Sequence, residues 1–149
     1  ADAAPSCYNL SVAPDDRPTV PSTVVDRLFV YGTLRAGEAA HAVVAPYVIS
    51  AVRATALGTM YALPAGYPGV VADDRGVVHG ELLTLRDLAA ALAALDAYEG
   101  DDFTRILAEI TTAAGRGWAW MYVLLSSELA HGAPVIADGD WAGYRPRRG

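Results

Sequence analysis

A short turn after an apolar run is the first stretch of the sequence whose residue types suggest chemistry. This turn is Tyr31-Gly32-Thr33-Leu34. A glycine at the end of a strand allows the backbone to approach a ligand closely, so successive amides could point at one spot and cradle an anion. A carboxylate or an oxyanion would suit such a cradle. From the spacing alone we favour an ordinary tight turn, in which Gly32 is present only because the backbone of the turn requires it.

A carboxylate at the end of a predicted helix is the second such feature. Leu88, Leu92, Leu95 and Glu99 stand at positions i, i+4, i+7 and i+11. At about 100° per residue, eleven steps return to within roughly 20° of the start, so a helix that reaches residue 99 would turn Glu99 inward. Burial raises the pKa of an unpaired carboxyl group, which suits a general acid or base near neutral pH. Alternatively the helix frays before Gly100, and Glu99 is then an ordinary solvated residue.

Several other chemistries find little support in the sequence. His41, His79 and His131 lack ligand spacing, so we expect no zinc site. Ser126 and Ser127 lack the glycines of a nucleophile elbow. No phosphate-loop lysine or dinucleotide glycine pattern is present. We therefore expect neither a metal nor a cofactor. The net charge of -6 also argues against a nucleic-acid partner.

The elements that must position these residues are mostly strands. Apolar and alternating runs predict strands over residues 27–31, 54–63, 70–72 and 77–83, and a hairpin of 103–112 with 118–125 that turns at Gly115 and Gly117. One clear helix is inserted before the hairpin, with Thr84 as N-cap, Asp87 completing a capping box and Gly100 ending it. Residues 39–48 suggest one or two helical turns broken at residue 46. The predicted class is α+β, a small mixed β-barrel or curled sheet with one main inserted helix.

Length and composition suggest one domain with short flanking segments. The 149 residues fit a single core, and we expect the proline-rich residues 1–25 to be an irregular or disordered leader, residues 26–142 to be the domain and 143–149 to be a basic tail. No apolar run reaches the roughly 18 residues that a membrane span needs, so no membrane partner is expected. The single cysteine, Cys7, has no intrachain partner, which suits a cytoplasmic location.

Five short motifs follow one another along the chain: Tyr31-Gly32-Thr33-Leu34, Tyr67-Pro68-Gly69, Val78-His79-Gly80-Glu81-Leu82, Leu95-Asp96-Ala97-Tyr98-Glu99-Gly100 and Gly139-Asp140-Trp141. Taken in order, they resemble the gamma-glutamylcyclotransferase-like family, and its short gamma-glutamylamine branch in particular. The likeness runs from about residue 26 to 142 and implies a small mixed barrel with helices.

The resemblance implies roles for both chemical features. The loop of Tyr31, Gly32, Thr33 and Leu34 would bind the gamma-glutamyl group through its backbone amides, and Glu99 would be the acid–base residue. The implied reaction is attack of the substrate's α-amine on its own γ-carbonyl, which gives 5-oxoproline and a free amine without a cofactor. The substrate would be a small gamma-glutamyl amine or amide, used in amine recycling or in deprotection of a biosynthetic intermediate.

Three further residues, Glu81, Phe103 and Arg105, are candidates for accessory roles at the site. Relatives usually carry Tyr-x-Arg just after the glutamate, whereas this chain has Phe103-Thr104-Arg105. Phe103 could still pack. Arg105 could bind a substrate carboxylate, but we favour a structural ion pair. Glu81 lies on a predicted strand, where it is either a second buried carboxylate or a residue that faces outward.

Two other functions remain open from the sequence. The chain could be a non-catalytic module that binds small anions in the same fold, or a gamma-glutamyl amide hydrolase that uses Glu99 to activate water. Nothing in the sequence identifies the leaving amine or the oligomeric state.

Overall fold

A computed structural model describes residues 25–38 and 40–148, with the side chains of residues 145–148 left aside. The expected leader, apart from Val25, and with it Cys7, falls outside the described residues. The seven strands are β1 (Arg27–Val30), β2 (Val48–Leu57), β3 (Thr59–Ala62), β4 (Pro68–Val71), β5 (Val77–Leu85), β6 (Phe103–Thr112) and β7 (Gly115–Leu124). Two helices, α1 (Leu88–Glu99) and α2 (Trp141–Arg148), accompany them. No helix in the described part of the chain is long and apolar enough to cross a membrane.

A closed barrel forms the body of the fold. Its five strands follow the order β1-β5-β2-β6-β7, and β3 pairs with β4 in a separate two-stranded sheet. Strand β1 pairs antiparallel with β5 and parallel with β7, so the barrel is mixed. The predicted α+β class, with a mixed barrel and one main inserted helix, is confirmed.

Alternate residues of β1 serve two separate cores. Phe29 belongs to a cluster that also includes Met121 from β7, whereas Leu28 and Val30 pack in a second cluster with Leu95 of α1. This follows from the two-residue period of a strand. Each fully buried side chain of this kind stabilises the fold by about 1.5–3 kcal/mol. The second cluster fixes α1 against the barrel beside the end of β1.

Helix α1 ends where its leucine spacing predicts, but it begins later than expected. It reaches Glu99 and stops at Gly100, which has φ 75° and donates its amide to the Asp96 carbonyl at 3.2 Å. The predicted capping box is wrong. Thr84 lies in β5, where it is paired with strands on both sides, and Asp87 precedes the helix with φ 50° and no side-chain cap bond. Strand pairing therefore extends β5 through the proposed cap.

The run predicted as one strand over residues 54–63 is two strands, β2 and β3. The chain changes direction at Gly58, where an added Cβ would lie 2.7 Å from Cγ1 of Val70. Only a residue without a side chain allows this close approach to β4. Strand β4 spans Pro68–Val71, slightly earlier than predicted.

Two smaller predictions also need correction. Strand β7 begins at Gly115, and Gly117 is paired with Ile110 inside the ladder, so neither glycine forms the turn. Residues 40–48 contain two 3-10 turns, His41–Val43 and Ala45–Tyr47, and the second includes the proline at 46, so this proline does not end the helical segment. Helix α2 extends to residue 148, through the segment that we expect to be a basic tail. Strand β6 has the predicted bounds.

Candidate active site

A cavity of about 260 Å³ opens where β1, α1 and β6 meet. Its lining includes the four residues of the loop 31–34, which follows β1, and Glu99 at the last position of α1. These two features are separated by 65 residues or more in the sequence. The structure therefore brings together the loop 31–34 and Glu99, the two features that the sequence indicated for chemistry.

Hydrogen bonds and close packing hold the loop 31–34 in place. The Tyr31 hydroxyl donates to the carbonyl of Tyr122 at 2.7 Å. The amide of residue 35 donates to the Gly32 carbonyl at 3.1 Å. Gly32 lies against Pro68, and an added Cβ there would stand 2.7 Å from Cγ of that proline. Gly32 is therefore required by close approach.

Three amides of the loop lack a protein partner. Within residues 25–38 and 40–148, the amides of Gly32, Thr33 and Leu34 donate to no protein acceptor. Because the three residues line the cavity, water or a bound anion there would supply an acceptor.

The back of the loop is attached to the barrel by polar contacts outside the cavity. Arg35 Nη1 donates to Asp140 Oδ1 at 3.2 Å, and the amide of Ala36 donates to Glu81 Oε1 at 3.0 Å. Glu81 does not line the cavity. The structure thus gives Glu81 a contact that supports the loop from outside and does not bring it to Glu99.

Glu99 is half-buried, and its desolvation raises the pKa of the carboxyl group to about 7. Among the described residues it is the only carboxylate that lines this cavity. The alternative of a frayed, solvated Glu99 is therefore not what the structure shows. Burial, and to a smaller extent the charge of Glu99, raise the pKa of the Tyr31 hydroxyl. The hydroxyl therefore stays protonated and keeps its hydrogen bond to the Tyr122 carbonyl.

Behind the cavity, an ion pair positions an aromatic wall. The Tyr122 hydroxyl donates to Asp96 Oδ1 at 2.6 Å, and Arg105 donates to both oxygens of Asp96 at 3.0 and 3.1 Å. The Arg105 guanidinium also lies 4.8 Å from the ring centroid of Trp120. The hydrogen bonds from Arg105 hold the pKa of Asp96 below its usual value. Arg105 does not line the cavity, which agrees with the structural ion pair that we favoured.

A protein-family model matches most of the chain. The model is described as gamma-glutamyl cyclotransferase, AIG2-like, and it matches residues 28–143. The chain belongs to this family. No curated protein matches the chain.

Solved structures of similar fold accompany the family match. YkqA from Bacillus subtilis is 26% identical with a TM-score of 0.68, and the alignment covers 84% of this chain but 42% of YkqA. This chain thus spans less than half the length of that protein. An AIG2-like protein from Mus musculus is 17% identical with a TM-score of 0.61, covering 73% of this chain and 84% of that one. The uropathogenic E. coli-specific protein c4763 is 21% identical with a TM-score of 0.62, covering 83% and 98%. The last two likenesses show the fold alone.

In this gamma-glutamyl cyclotransferase-like chain, sequence analysis missed part of the cavity. Tyr67, Tyr98 and Phe103 line the cavity together with the loop and Glu99, but only Phe103 was singled out beforehand. Tyr122 also lines the cavity, and Asp96 is the partner of Arg105; sequence analysis assigned neither residue a role. The motifs around Tyr67 and Tyr98 were visible in the sequence, but no spacing rule predicts that they meet.

No group of three or more histidine, cysteine, aspartate or glutamate side chains in the described part of the chain could hold a metal ion.

Proposed function

We propose that this chain converts a gamma-glutamyl amine into 5-oxoproline and a free amine. The observation that carries the proposal is that a half-buried carboxylate with a pKa of about 7, Glu99, shares one cavity with three unpartnered loop amides. Family membership supports a cyclotransferase-type activity in general. The specific substrate and the residue roles are proposals.

The reaction needs no enzyme nucleophile. The substrate's α-nitrogen attacks its own γ-carbonyl carbon, the new C–N bond closes the five-membered ring, and the bond from that carbon to the leaving nitrogen breaks. On its way to the lactam N–H the α-ammonium nitrogen loses two protons, and the departing nitrogen gains two protons and leaves as an ammonium ion, so the proton count balances. Because the two reacting groups belong to one molecule, holding the curled conformer supplies a large part of the rate enhancement.

We expect Glu99 to carry these protons. A general base is most effective when its pKa lies near the working pH, and burial gives Glu99 a pKa of about 7. The ionised carboxylate would accept a proton from the α-nitrogen and return it to the leaving nitrogen, one proton at a time. One group at one cavity wall could perform both steps.

The amides of Gly32, Thr33 and Leu34 would bind a negatively charged oxygen of the substrate. If they receive the α-carboxylate, they orient the glutamyl group. If they receive the γ-carbonyl oxygen, they stabilise the oxyanion that develops there. In either case the unpartnered donors gain an acceptor. Amine recycling or removal of a glutamyl protecting group would each use this chemistry.

The test is Glu99→Gln assayed against a panel of gamma-glutamyl amides. We expect the parent to release 5-oxoproline and the variant to be slower by at least about 100-fold, as is typical when an acid–base group is removed. The matched control is Glu128→Gln, an exposed glutamate that does not line the cavity. Equal rates for parent and Glu99→Gln would refute the assignment. Free glutamate among the products would instead identify a hydrolase, and binding without turnover would identify a non-catalytic module.

A further inference from the structure

We infer that the mouth of the active-site cavity binds the leaving amine and selects amines that carry a flat apolar group. This inference rests on the proposed function and adds the substrate class. Its basis is a set of three aromatic side chains, Tyr67, Tyr98 and Phe103, which we call the aromatic mouth. They reach the cavity from the turn before β4, from the last turn of α1 and from the start of β6.

Two of these side chains expose a large apolar surface. Tyr67 is 36% exposed and Tyr98 is 45% exposed, although both line a cavity. Exposed aromatic surface at the entrance of a cavity is characteristic of a ligand-binding site, because the rings lose contact with water when the ligand arrives. The aromatic mouth therefore has apolar surface to offer a ligand.

The rings also contact neighbouring side chains. The Tyr67 and Phe103 rings lie 6.2 Å apart at 45°, and the Tyr98 hydroxyl lies 3.3 Å from the Thr33 hydroxyl. The bond to Thr33 occupies the polar end of Tyr98, and Phe103 has no hydroxyl. Tyr67 and Phe103 thus form a tilted pair of walls against which a flat group can pack at low entropic cost.

Charged groups that would recognise a polar amine are absent from this lining. Among the described residues, the cavity lining includes one glutamate, Glu99, and no aspartate, arginine or histidine. The proposed reaction already uses Glu99. Asp101 and Asp102 follow α1 on an exposed turn but do not line the cavity. A leaving amine with a second ammonium or carboxylate group would lose hydration here without gaining a partner.

The geometry therefore divides the substrate between two parts of the cavity. In this arrangement the glutamyl group would lie between the loop 31–34 and Glu99, and the amine substituent would pack against the aromatic side chains. Contact of one ring with an aromatic pair improves binding on the order of tenfold over a small alkyl group.

The experiment compares three substrates: gamma-glutamyl benzylamide, gamma-glutamyl ethylamide and gamma-glutamyl putrescine. For each, kcat/KM is measured from 5-oxoproline release, and Kd is measured by calorimetry with Glu99→Gln so that turnover during the titration is slow. We expect benzylamide to exceed the other two by about tenfold in both quantities. In Tyr67→Leu and Phe103→Leu, the ratio of benzylamide to ethylamide should fall at least about fivefold. Leu125→Ala, which changes an exposed apolar residue outside the cavity, should keep the parent ratio.

The two readouts separate failure of this inference from failure of the proposed function. If 5-oxoproline forms equally well from all three substrates, or best from the putrescine compound, the aromatic selection is wrong and the cyclotransferase activity stands. If no 5-oxoproline forms but benzylamide binds most tightly and loses that advantage in Tyr67→Leu, the apolar site stands and the reaction is wrong. Absence of any benzylamide preference in binding overturns the inference.

Discussion

Replacing Glu99 with glutamine should stabilise the protein at alkaline pH and have little effect in acid. The pKa of the Glu99 carboxyl group is about 7 in the folded protein, against an ordinary value of 4.5. Below pH 4.5 the group is protonated in the folded and the unfolded state, so it does not change the free energy of unfolding. As pH rises from 4.5 to 7 the unfolded chain ionises first, so the parent loses stability across this window and remains destabilised above it. Glutamine is neutral at every pH and avoids this loss.

The size of the effect follows from the difference between the two pKa values. The gap between 4.5 and about 7, at about 1.36 kcal/mol per pKa unit, sets an upper limit of about 3.4 kcal/mol. Glu99 is only half-buried, and water at the cavity screens its charge, so we expect about half of this limit, roughly 1.5 kcal/mol. For a chain of this length the midpoint of thermal unfolding should rise by about 4 to 6 °C at pH 8.5.

Urea unfolding of parent and Glu99→Gln at pH 4.5 and pH 8.5 measures the difference directly. The free energy of unfolding should favour the variant by about 1.5 kcal/mol more at pH 8.5 than at pH 4.5. Effects of pH on the other groups cancel between the two proteins. Glu128→Gln, at an exposed position, should show no such pH-dependent gap. If Glu99→Gln and its parent change in parallel with pH, Glu99 is not desolvated and the argument for its raised pKa is wrong.

Three further predictions concern the reaction and the parts that support the site. The kcat/KM of the parent should rise with pH through an apparent pKa of about 7, because Glu99 must be ionised to accept a proton; a flat profile from about pH 5.5 to 8.5 would contradict this role. Gly32→Ala should lower stability by about 1–3 kcal/mol and reduce kcat/KM, because the new Cβ would lie 2.7 Å from Pro68 Cγ. Gly117→Ala is its control, since the nearest atom there is 3.6 Å away, and equal losses in both variants would sink the packing argument. Arg105→Met should cost about 1 kcal/mol in urea unfolding, because it removes a bidentate but partly exposed ion pair, and an unchanged midpoint would mean that solvent screens the pair completely.

Local periodicity gave the observed position of Glu99 as one of two alternatives. The spacing of Leu88, Leu92 and Leu95 sets one helix face, and Glu99 continues it to the last helical residue. This inference needs only the geometry of a single helix. The end of the helix was also predictable, because Gly100 readily takes the positive φ that it shows.

The errors arose where distant parts of the chain decide the local structure. Thr84 has the features of an N-cap, but pairing with β1 and β2 keeps it in β5. Alternation of apolar residues continues across Gly58, so the division into β2 and β3 became visible only through packing against Val70. Tertiary contacts overrode a local preference in both cases.

The site was only half predictable for the same reason. The family resemblance placed the loop 31–34 and Glu99 in one site, and the structure brings them to one cavity. The bond between Tyr122 and Asp96, and the meeting of Tyr67 with Phe103, depend on closure of the barrel. No sequence period encodes such contacts.

The origin of the product's carbonyl oxygen tests the central claim most directly. Turnover of gamma-glutamyl benzylamide in water enriched in oxygen-18 distinguishes internal attack by the α-amine from attack by water. The proposed reaction predicts unlabelled 5-oxoproline, with formation strongly reduced in Glu99→Gln. Glutamate that carries oxygen-18 in its γ-carboxylate would show that Glu99 activates water, and it would contradict intramolecular cyclisation.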